Sequence, residues 1–334
     1  MNSRTRCFEV LNGRKPDRIP FFPLLMFFAA DRGKMNFSTF CTDADALADA
    51  QINLFENYHV DAVTVSSDPY RISADLGAGI EYPADHIPIV RKPLLQTEED
   101  LHRLVFPDPM KKGSRMRNRI DAVEKLKREI GDRALICGWV EMPFAEVCDW
   151  FGVENTMLML MEEPELVEEA LDIAADMEIR FAEAQIAAGA DMIGCGDAAA
   201  SLISRRAFAK YALPAEQKVT AGIRERNAYS KLHICGDTTQ SLPYLAQSGA
   251  DLVCIDSKVD FDYAVEVFGK AGVPFKGNLD PVRDLLNGSP EEVGKKAKEL
   301  IAKAENCAYM LSPGCEIPAA VSDEVYFALA DAVK

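Results

Sequence analysis

The chain has 334 residues, 48% of them hydrophobic and 27% charged, which is the profile of an ordinary globular protein that can bury a large core. Its 53 acidic and 37 basic residues give a formal net charge of −16, which argues against nonspecific binding to nucleic acid or to an anionic membrane. The polar N-terminus (MNSRTRCFEV) lacks the apolar run of a signal peptide, so we expect nine reduced cysteines in a cytoplasmic protein.

Apolar strand-like runs alternate along the chain with amphipathic helical stretches. The segment 164–188 carries apolar residues at helical spacing, with a proline suited to a first helical turn and Gly189 suited to the end of the helix. Short links such as Gly189-Ala190-Asp191 lead directly into an apolar run, as they do in parallel sheets. The predicted strands, in chain order, are residues 19–28, 61–66, 134–140, 191–195, 230–235, 251–255, 274–278 and 308–312.

Eight strand–helix units in one chain of this length predict an α/β fold, a single closed (β/α)8 barrel (TIM barrel) over residues 1–334. An open doubly wound sheet is the alternative, but no glycine-rich phosphate-binding fingerprint follows the first predicted strand. We expect an N-terminal extension at about residues 1–18. Residues 75–95 interrupt the repeat, and we expect them to form a hairpin-like insertion that helps to shape the mouth of the barrel.

Three residues at the ends of predicted strands could bind a metal ion. Active sites of TIM barrels lie at the C-terminal ends of the strands, where His233 and Cys235 (LHICGD) and Cys315 (LSPGC) stand. Because residues two apart on a strand point to the same side, His233 and Cys235 could grip one ion, with Cys315 reaching across the mouth. Three nitrogen and sulfur ligands plus one open position are typical of catalytic zinc. The alternative is a core histidine with two inert, buried cysteines.

Four carboxylates at strand ends are candidate catalytic residues. They are Asp68 (SSDP), Glu141 (WVEMP), Asp197 (GCGDA) and Asp256 (CIDS). Asp197, Asp256 and Glu141 could each supply a fourth zinc ligand, a hydrogen-bond partner to His233 or a contact to substrate. The alternative for each is to cap the helix or loop that follows.

Several segments resemble one known family, the uroporphyrinogen decarboxylase superfamily. These are residues 232–261, PFKGNLDPVRDLLNGSPEEV and YMLSPGCEIP, and the similarity extends to RKPDRIPFFP and GDAAASLISRRAFAKYALP. Within the superfamily, the chain looks most like the corrinoid-dependent methyltransferases of the methylcobamide:coenzyme M type. The resemblance implies a TIM barrel of the uroporphyrinogen decarboxylase type. The family's H-x-C…C zinc ligands match His233, Cys235 and Cys315.

The resemblance also implies a function. It implies a zinc-dependent enzyme that moves a methyl group between a corrinoid and a zinc-activated thiol, or takes the group from a methylated small-molecule donor. A cobalamin-binding D-x-H-x-x-G signature is absent, so the corrinoid (methylcobalamin) is expected as a co-substrate, carried by a separate small corrinoid protein. No nucleic-acid or membrane partner is expected, and a homo-oligomer stays open.

Two other functions also stay open. The first is a decarboxylase-type lyase. Uroporphyrinogen decarboxylases carry an arginine-rich motif after the first strand, whereas this chain has FFPLLMFFAADRG there, with no basic residue between Arg18 and Arg32. Because arginine is the natural clamp for carboxylates, this absence speaks against a porphyrinogen substrate. The second is a non-catalytic corrinoid- or substrate-binding barrel on the same scaffold.

Overall fold

The computed structural model describes residues 1–334, and its centre is one curved sheet of seven parallel strands. The strands are β1 Ala62–Thr64, β2 Ile80–Glu81, β3 Ile89–Val90, β4 Leu135–Glu141, β5 Met192–Gly196, β6 Tyr229–His233, β7 Leu252–Cys254, β8 Phe275–Leu279 and β9 Tyr309–Pro313. The sheet follows the chain in the order β1-β4-β5-β6-β7-β8-β9, and β2 and β3 form a separate antiparallel hairpin. The seven strands confirm those predicted from residue 61 onward, and with them the α/β barrel fold.

The first predicted strand, over residues 19–28, is wrong as a strand. Only Phe21 pairs with the sheet, through an isolated parallel bridge to Leu311. Pro20 and Pro23 have no N–H to donate to a ladder, which explains why pairing does not extend. Residues Phe27–Arg32 form a helix instead.

The segment around Phe21 nevertheless joins the two edges of the sheet. Phe22 N donates to Leu311 O at 3.1 Å beside β9, and Asp61 N donates to Phe21 O at 2.8 Å beside β1. The side chain of Asp61 is fully buried and accepts from Phe21 N, Arg6 and Arg18. These hydrogen bonds complete the ring that a regular eighth strand would close.

Helices surround the sheet on its outer side and cover its N-terminal end. A cluster of ten buried residues, drawn from α1, the strand starts and Phe22, fills the N-terminal end of the barrel, so the C-terminal end is the open mouth. None of the helices combines the length and apolar character needed to cross a membrane. The helices are α1 Ser3–Leu11, α2 Phe27–Arg32, α3 Phe37–Thr42, α4 Ala44–Asn57, α5 Arg71–Asp75, α6 Glu98–His102, α7 Arg115–Ile130, α8 Pro143–Phe151, α9 Val153–Glu162, α10 Pro164–Ala187, α11 Arg205–Ala207, α12 Leu213–Glu225, α13 Leu242–Leu245, α14 Phe261–Ala271, α15 Pro290–Lys303 and α16 Asp323–Ala330.

Candidate metal centre

His233, Cys235 and Cys315 meet at the mouth of the barrel. The Cys235 sulfur lies 3.3 Å from His233 Nε2 and 3.9 Å from the Cys315 sulfur, and the Cys315 sulfur lies 3.8 Å from His233 Nε2. His233 is buried, whereas both cysteines keep partial exposure. Three soft or borderline ligand atoms therefore face one point that solvent can reach.

The spacing of these three atoms fits tetrahedral zinc. Bonds of about 2.3 Å to sulfur and about 2.05 Å to nitrogen give ligand-to-ligand edges of about 3.8 Å between sulfurs and about 3.6 Å between sulfur and nitrogen. The observed edges are 3.9 Å between the sulfurs and 3.3 and 3.8 Å from sulfur to nitrogen. Three protein ligands would leave the fourth corner for a substrate atom.

Local chain geometry brings the two cysteines to the histidine. His233 is the last residue of β6, and Gly236 takes a φ of 92° immediately after Cys235, a conformation that side chains rarely adopt. Cys315 follows β9 through Gly314, whose missing side chain lets the chain pass close to the loop after β7: a Cβ there would lie 2.1 Å from Ser257 N. Two glycines thus allow the turns that place the cysteines.

The three candidate ligands influence one another's pKa values. A hydrogen bond from Cys235 lowers the pKa of Cys315 to about 4, and His233 adds to this effect against the cost of burial. The same hydrogen bond and burial raise the pKa of Cys235. Burial opposes the charged form of His233, but its contacts with Cys254 and Cys315 outweigh burial and raise its pKa to about 9. Metal ligands must be free of these protons, so the affinity for a metal ion at these three residues would depend on pH.

Two buried lysines lie below the centre, inside the barrel. The Lys231 ammonium is 4.5 Å from the Trp139 ring centre, and that of Lys276 is 4.5 Å from the Phe22 ring centre. Burial lowers the pKa of Lys276 to about 8. Burial would raise the pKa of Cys254, but the two ammonium groups outweigh it and lower that pKa to about 7. A cavity of only about 10 Å³ remains among these groups, which leaves no space for a substrate.

Glu141 lies beside the metal centre because two glycines on β5 carry no side chains. Cβ atoms at Gly194 and Gly196 would lie 2.4 Å from Trp139 Cε3 and 2.5 Å from Glu141 Oε2, respectively. The Trp139 ring and the Glu141 carboxylate, both from β4, therefore extend across β5. In register, Gly196 pairs with Glu141 on one side and with His233 on the other.

Asp197 follows Gly196 but points the other way. It is fully buried, and its carboxyl group faces that of Glu216 on α12. Burial raises the pKa of Asp197 to about 8 and raises that of Glu216 well above its ordinary value. Burial thus favours the protonated form of both carboxyl groups, which face each other between sheet and helix. The structure does not bring Asp197 to the three metal-ligand candidates.

Asp68 lies across the mouth in a group of buried arginines. Its Oδ2 accepts from Arg115 at 2.7 Å and from Ser67 at 2.6 Å. Burial raises the pKa of Asp68, but Arg115 and Arg71 outweigh burial and hold that pKa below its usual range. Arg119, fully buried nearby, donates to Ser67 and to the carbonyl of Cys41. These contacts make Asp68 a structural anchor of the β1 side of the mouth.

Asp256 stands at the end of β7, next to the loop that carries Gly314. Its Oδ1 accepts from Lys258 N at 2.9 Å and from Ser257 Oγ at 3.3 Å, which is the turn-capping role weighed as the alternative. The side chain is largely buried, with 7% of the residue exposed. Of the four candidate carboxylates, Glu141 and Asp256 are thus the two on the metal-centre side of the mouth.

Comparison with known proteins places the chain in a family. The uroporphyrinogen decarboxylase (URO-D) family profile matches residues 2–334, so the chain belongs to this family. It is 29% identical over 329 residues to the methylcobamide:CoM methyltransferase MtbA of Methanosarcina acetivorans, covering 94% of this chain and 92% of the relative. It is 26% identical over 280 residues to the uroporphyrinogen decarboxylase of Carboxydothermus hydrogenoformans, covering 82% and 77%. The solved structure of a methyltransferase from Methanosarcina mazei has the same fold, with a TM-score of 0.90, 24% identity and coverage of 99% and 98%.

Proposed function

We propose that this member of the uroporphyrinogen decarboxylase family is a zinc-dependent methyltransferase that moves a methyl group between a corrinoid and a small thiol. The observation that carries the proposal is the arrangement of His233, Cys235 and Cys315 at the mouth of the barrel, whose ligand atoms are spaced like three corners of a zinc tetrahedron. The similarity to a methylcobamide:CoM methyltransferase along nearly the whole chain supports the corrinoid and the thiol as reactants.

The three ligands define what the protein contributes to the reaction. A free thiol has a pKa of about 8.5 and is mostly protonated at neutral pH. Zinc bound to this centre would supply the Lewis acidity that turns a thiol at the fourth corner into a thiolate. The two cysteine ligands and His233 leave that corner on the solvent side, since both cysteines are partly exposed. The protein thus orients the sulfur of the substrate towards the mouth.

The methyl group has to arrive from outside the barrel. The space below the metal centre is filled by Lys231, Lys276 and the Trp139 ring, so a corrinoid can approach only from the open mouth. The chain carries no D-x-H-x-x-G cobalamin signature, which favours a separate small corrinoid protein as the donor. For transfer in the opposite direction, from a methylated small molecule to the corrinoid, the corrinoid would also have to approach from the open mouth.

The buried arginines do not favour a porphyrinogen substrate. Arg71, Arg115 and Arg119 are largely or fully buried, and they donate to Glu141, Asp68 and backbone carbonyls within the protein. Guanidinium groups that are already paired inside the wall of the mouth are not available as a clamp for several substrate carboxylates.

Methyl transfer from free methylcobalamin to coenzyme M tests the proposal. The zinc-loaded protein should convert methylcobalamin to cob(I)alamin and form the methyl thioether of the thiol. The reaction is measured by the change in the corrinoid absorption spectrum. Cys315→Ser should lower this rate at least about a hundredfold, because loss of a mere hydrogen-bond partner of a metal ligand already costs about 10- to 100-fold in metal affinity or activity. Cys307→Ser, which changes a half-buried cysteine outside the centre, is the matched control. Absence of thiol methylation by the zinc-loaded protein, or decarboxylation of uroporphyrinogen, would overturn the proposal.

A further inference from the structure

We propose that Glu141 accepts the proton that the substrate thiol loses as its sulfur enters the metal centre. This inference rests on the proposed function and deepens it, because it names the group that completes the proton balance. The sulfur–hydrogen bond breaks, its electron pair stays on the sulfur, and the proton moves to Oε2 of the Glu141 carboxylate. The thiolate sulfur then forms a bond to the methyl carbon as the carbon–cobalt bond breaks, and that electron pair stays on cobalt.

The position of Glu141 is set by the pairing of three strands. Glu141, Gly196 and His233 are neighbours in register on β4, β5 and β6, so all three positions face the inside of the barrel. The Glu141 carboxylate leans across the glycine, with Oε2 2.5 Å from the point where a Cβ of Gly196 would lie. It therefore stands about one strand spacing, about 4.8 Å, from the strand that carries His233.

The two carboxylate oxygens of Glu141 have different surroundings. Oε1 accepts from Trp139 Nε1 at 2.9 Å and from Arg71 Nη2, so it is held in place by two donors. Oε2 accepts no hydrogen bond from the protein, and 7% of the residue remains exposed. A carboxylate with one anchored oxygen and one free oxygen is arranged as a base whose orientation is fixed.

The other carboxylates near the mouth are bound to neighbouring groups of the protein, although Asp256 and Glu316 accept through one oxygen only. Asp68 accepts from Ser67, Arg115 and the backbone, and Asp197 is fully buried against Glu216. Asp256 accepts from two groups of its own turn. Glu316, next to Cys315, accepts from Met26 N and Phe27 N at the start of α2. Glu141 differs from Asp256 and Glu316 because its free Oε2 lies over β5 at Gly196, which pairs in register with His233.

The charges around Glu141 suit a base that works near neutral pH. Burial raises the pKa of Glu141 to about 7, although Arg71 and Trp139 favour its charged form. At pH 7.5 the larger part of this group is therefore ionised and can take a proton. The titratable groups that face it are Tyr70, Arg71, Glu146, Asp149, Glu178, Asp197 and Cys235.

Counting protons during thiol binding tests the inference without measuring activity. Coenzyme M is titrated into the zinc-loaded protein at pH 7.5 by calorimetry in two buffers of different ionisation enthalpy, which gives the number of protons released. The wild type should release clearly less than one proton per site, because the negative charge of the bound thiolate raises the proton affinity of Glu141, which then retains part of the proton. Glu141→Gln, which preserves the acceptor for Trp139 and Arg71, should release about one proton, since a thiol near neutral pH binds by losing its proton. Glu299→Gln, an exposed carboxylate on α15, should match the wild type.

A second variant keeps the test decisive if Glu141→Gln folds poorly. Gly196→Ala leaves the charge of Glu141 in place but pushes Oε2 away from the site, and it should also release about one proton. A full proton released by the wild type itself, or wild-type values in both variants, would overturn the role of Glu141 while leaving the proposed function intact. Failure of the zinc-loaded wild type to bind the thiol would overturn the proposed function and this inference with it.

Discussion

The Glu141 carboxylate occupies the space that a side chain at position 196 would fill: a Cβ on Gly196 would lie 2.5 Å from Glu141 Oε2. Such a distance is far inside van der Waals contact, so any larger residue at this position moves the carboxylate. Because Gly196 also pairs with His233, the same glycine joins the base candidate to the metal centre. The missing side chain of Gly196 thus leaves the space that the Glu141 carboxylate occupies next to the strand of His233.

We predict that Gly196→Ala lowers kcat for methyl transfer while zinc content stays near that of the wild type. A displacement of about 1 Å in a positioned group costs up to about a hundredfold in rate, and we expect a loss between about tenfold and that value. The measurement is the steady-state rate with methylcobalamin and coenzyme M. Gly294→Ala on α15 is the control, because its added Cβ would meet its nearest neighbour at an ordinary 3.5 Å. An unchanged kcat in Gly196→Ala would contradict the assigned position of Glu141.

We predict that Asp61→Ala strongly destabilises the protein. Asp61 is fully buried and accepts from Arg6, Arg18 and Phe21 N. Its loss removes the buried one of the two carboxylates that pair with Arg6 and leaves Phe21 N without its acceptor. Removing one partner of a buried ion pair typically costs about 3–5 kcal/mol in the free energy of unfolding.

Urea denaturation provides the measurement for Asp61→Ala. Asp121→Ala, which breaks the half-exposed pair with Arg117 on α7, should lose only a small fraction of that free energy. Similar losses in the two variants would show that the Asp61 contacts do not hold the barrel closed.

We predict that Asp197→Asn removes part of the pH dependence of stability. The pKa of Asp197 is raised to about 8 in the folded state, against an ordinary value of about 3.9 in the unfolded chain. Between these values the folded protein keeps a proton that the unfolded chain releases. This group therefore lowers the free energy of unfolding as pH rises, by up to about 1.4 kcal/mol per pH unit.

Unfolding of both proteins at pH 5 and pH 8 gives the readout. The free energy of unfolding of the wild type should fall relative to that of Asp197→Asn across this window, since the amide has no proton to lose. A difference between the two proteins that stays constant from pH 5 to pH 8 would contradict a retained proton on Asp197.

Most of the barrel could be predicted from the sequence because its strands are short apolar runs bounded by turn signals. The predicted strands at 134–140 and 308–312 differ from Leu135–Glu141 and Tyr309–Pro313 by one residue at each end. The segment at 19–28 was misassigned because its apolar composition suits a strand, while its two prolines cannot donate to a ladder. Its role in closing the sheet depends on Asp61, which lies 40 positions along the chain from Phe21.

The metal-ligand candidates could be predicted because they stand at or just beyond the ends of strands. The turns that bring Cys235 and Cys315 to His233 lie outside the strands and could not be predicted from strand periodicity. Lys231 was accessible to the same reasoning, since it lies two residues before His233 and so shares its face. The direction of the Asp197 side chain could also be predicted, because successive residues of a strand point to opposite faces and Gly196 faces the inside of the barrel. Arg71 carries no such signal, because it stands on a short helix after β1 and reaches Glu141 only through the fold.

The zinc content of the protein tests the central claim most directly. The wild type, Cys315→Ser and Cys307→Ser are purified under reducing conditions without chelator, and zinc per chain is determined by mass spectrometry. We expect about one zinc per chain in the wild type and in Cys307→Ser, and clearly less in Cys315→Ser with its thermal unfolding temperature retained, as a three-ligand catalytic site requires. A wild type without zinc, or a folded Cys315→Ser with full zinc content, would contradict a metal centre built from His233, Cys235 and Cys315.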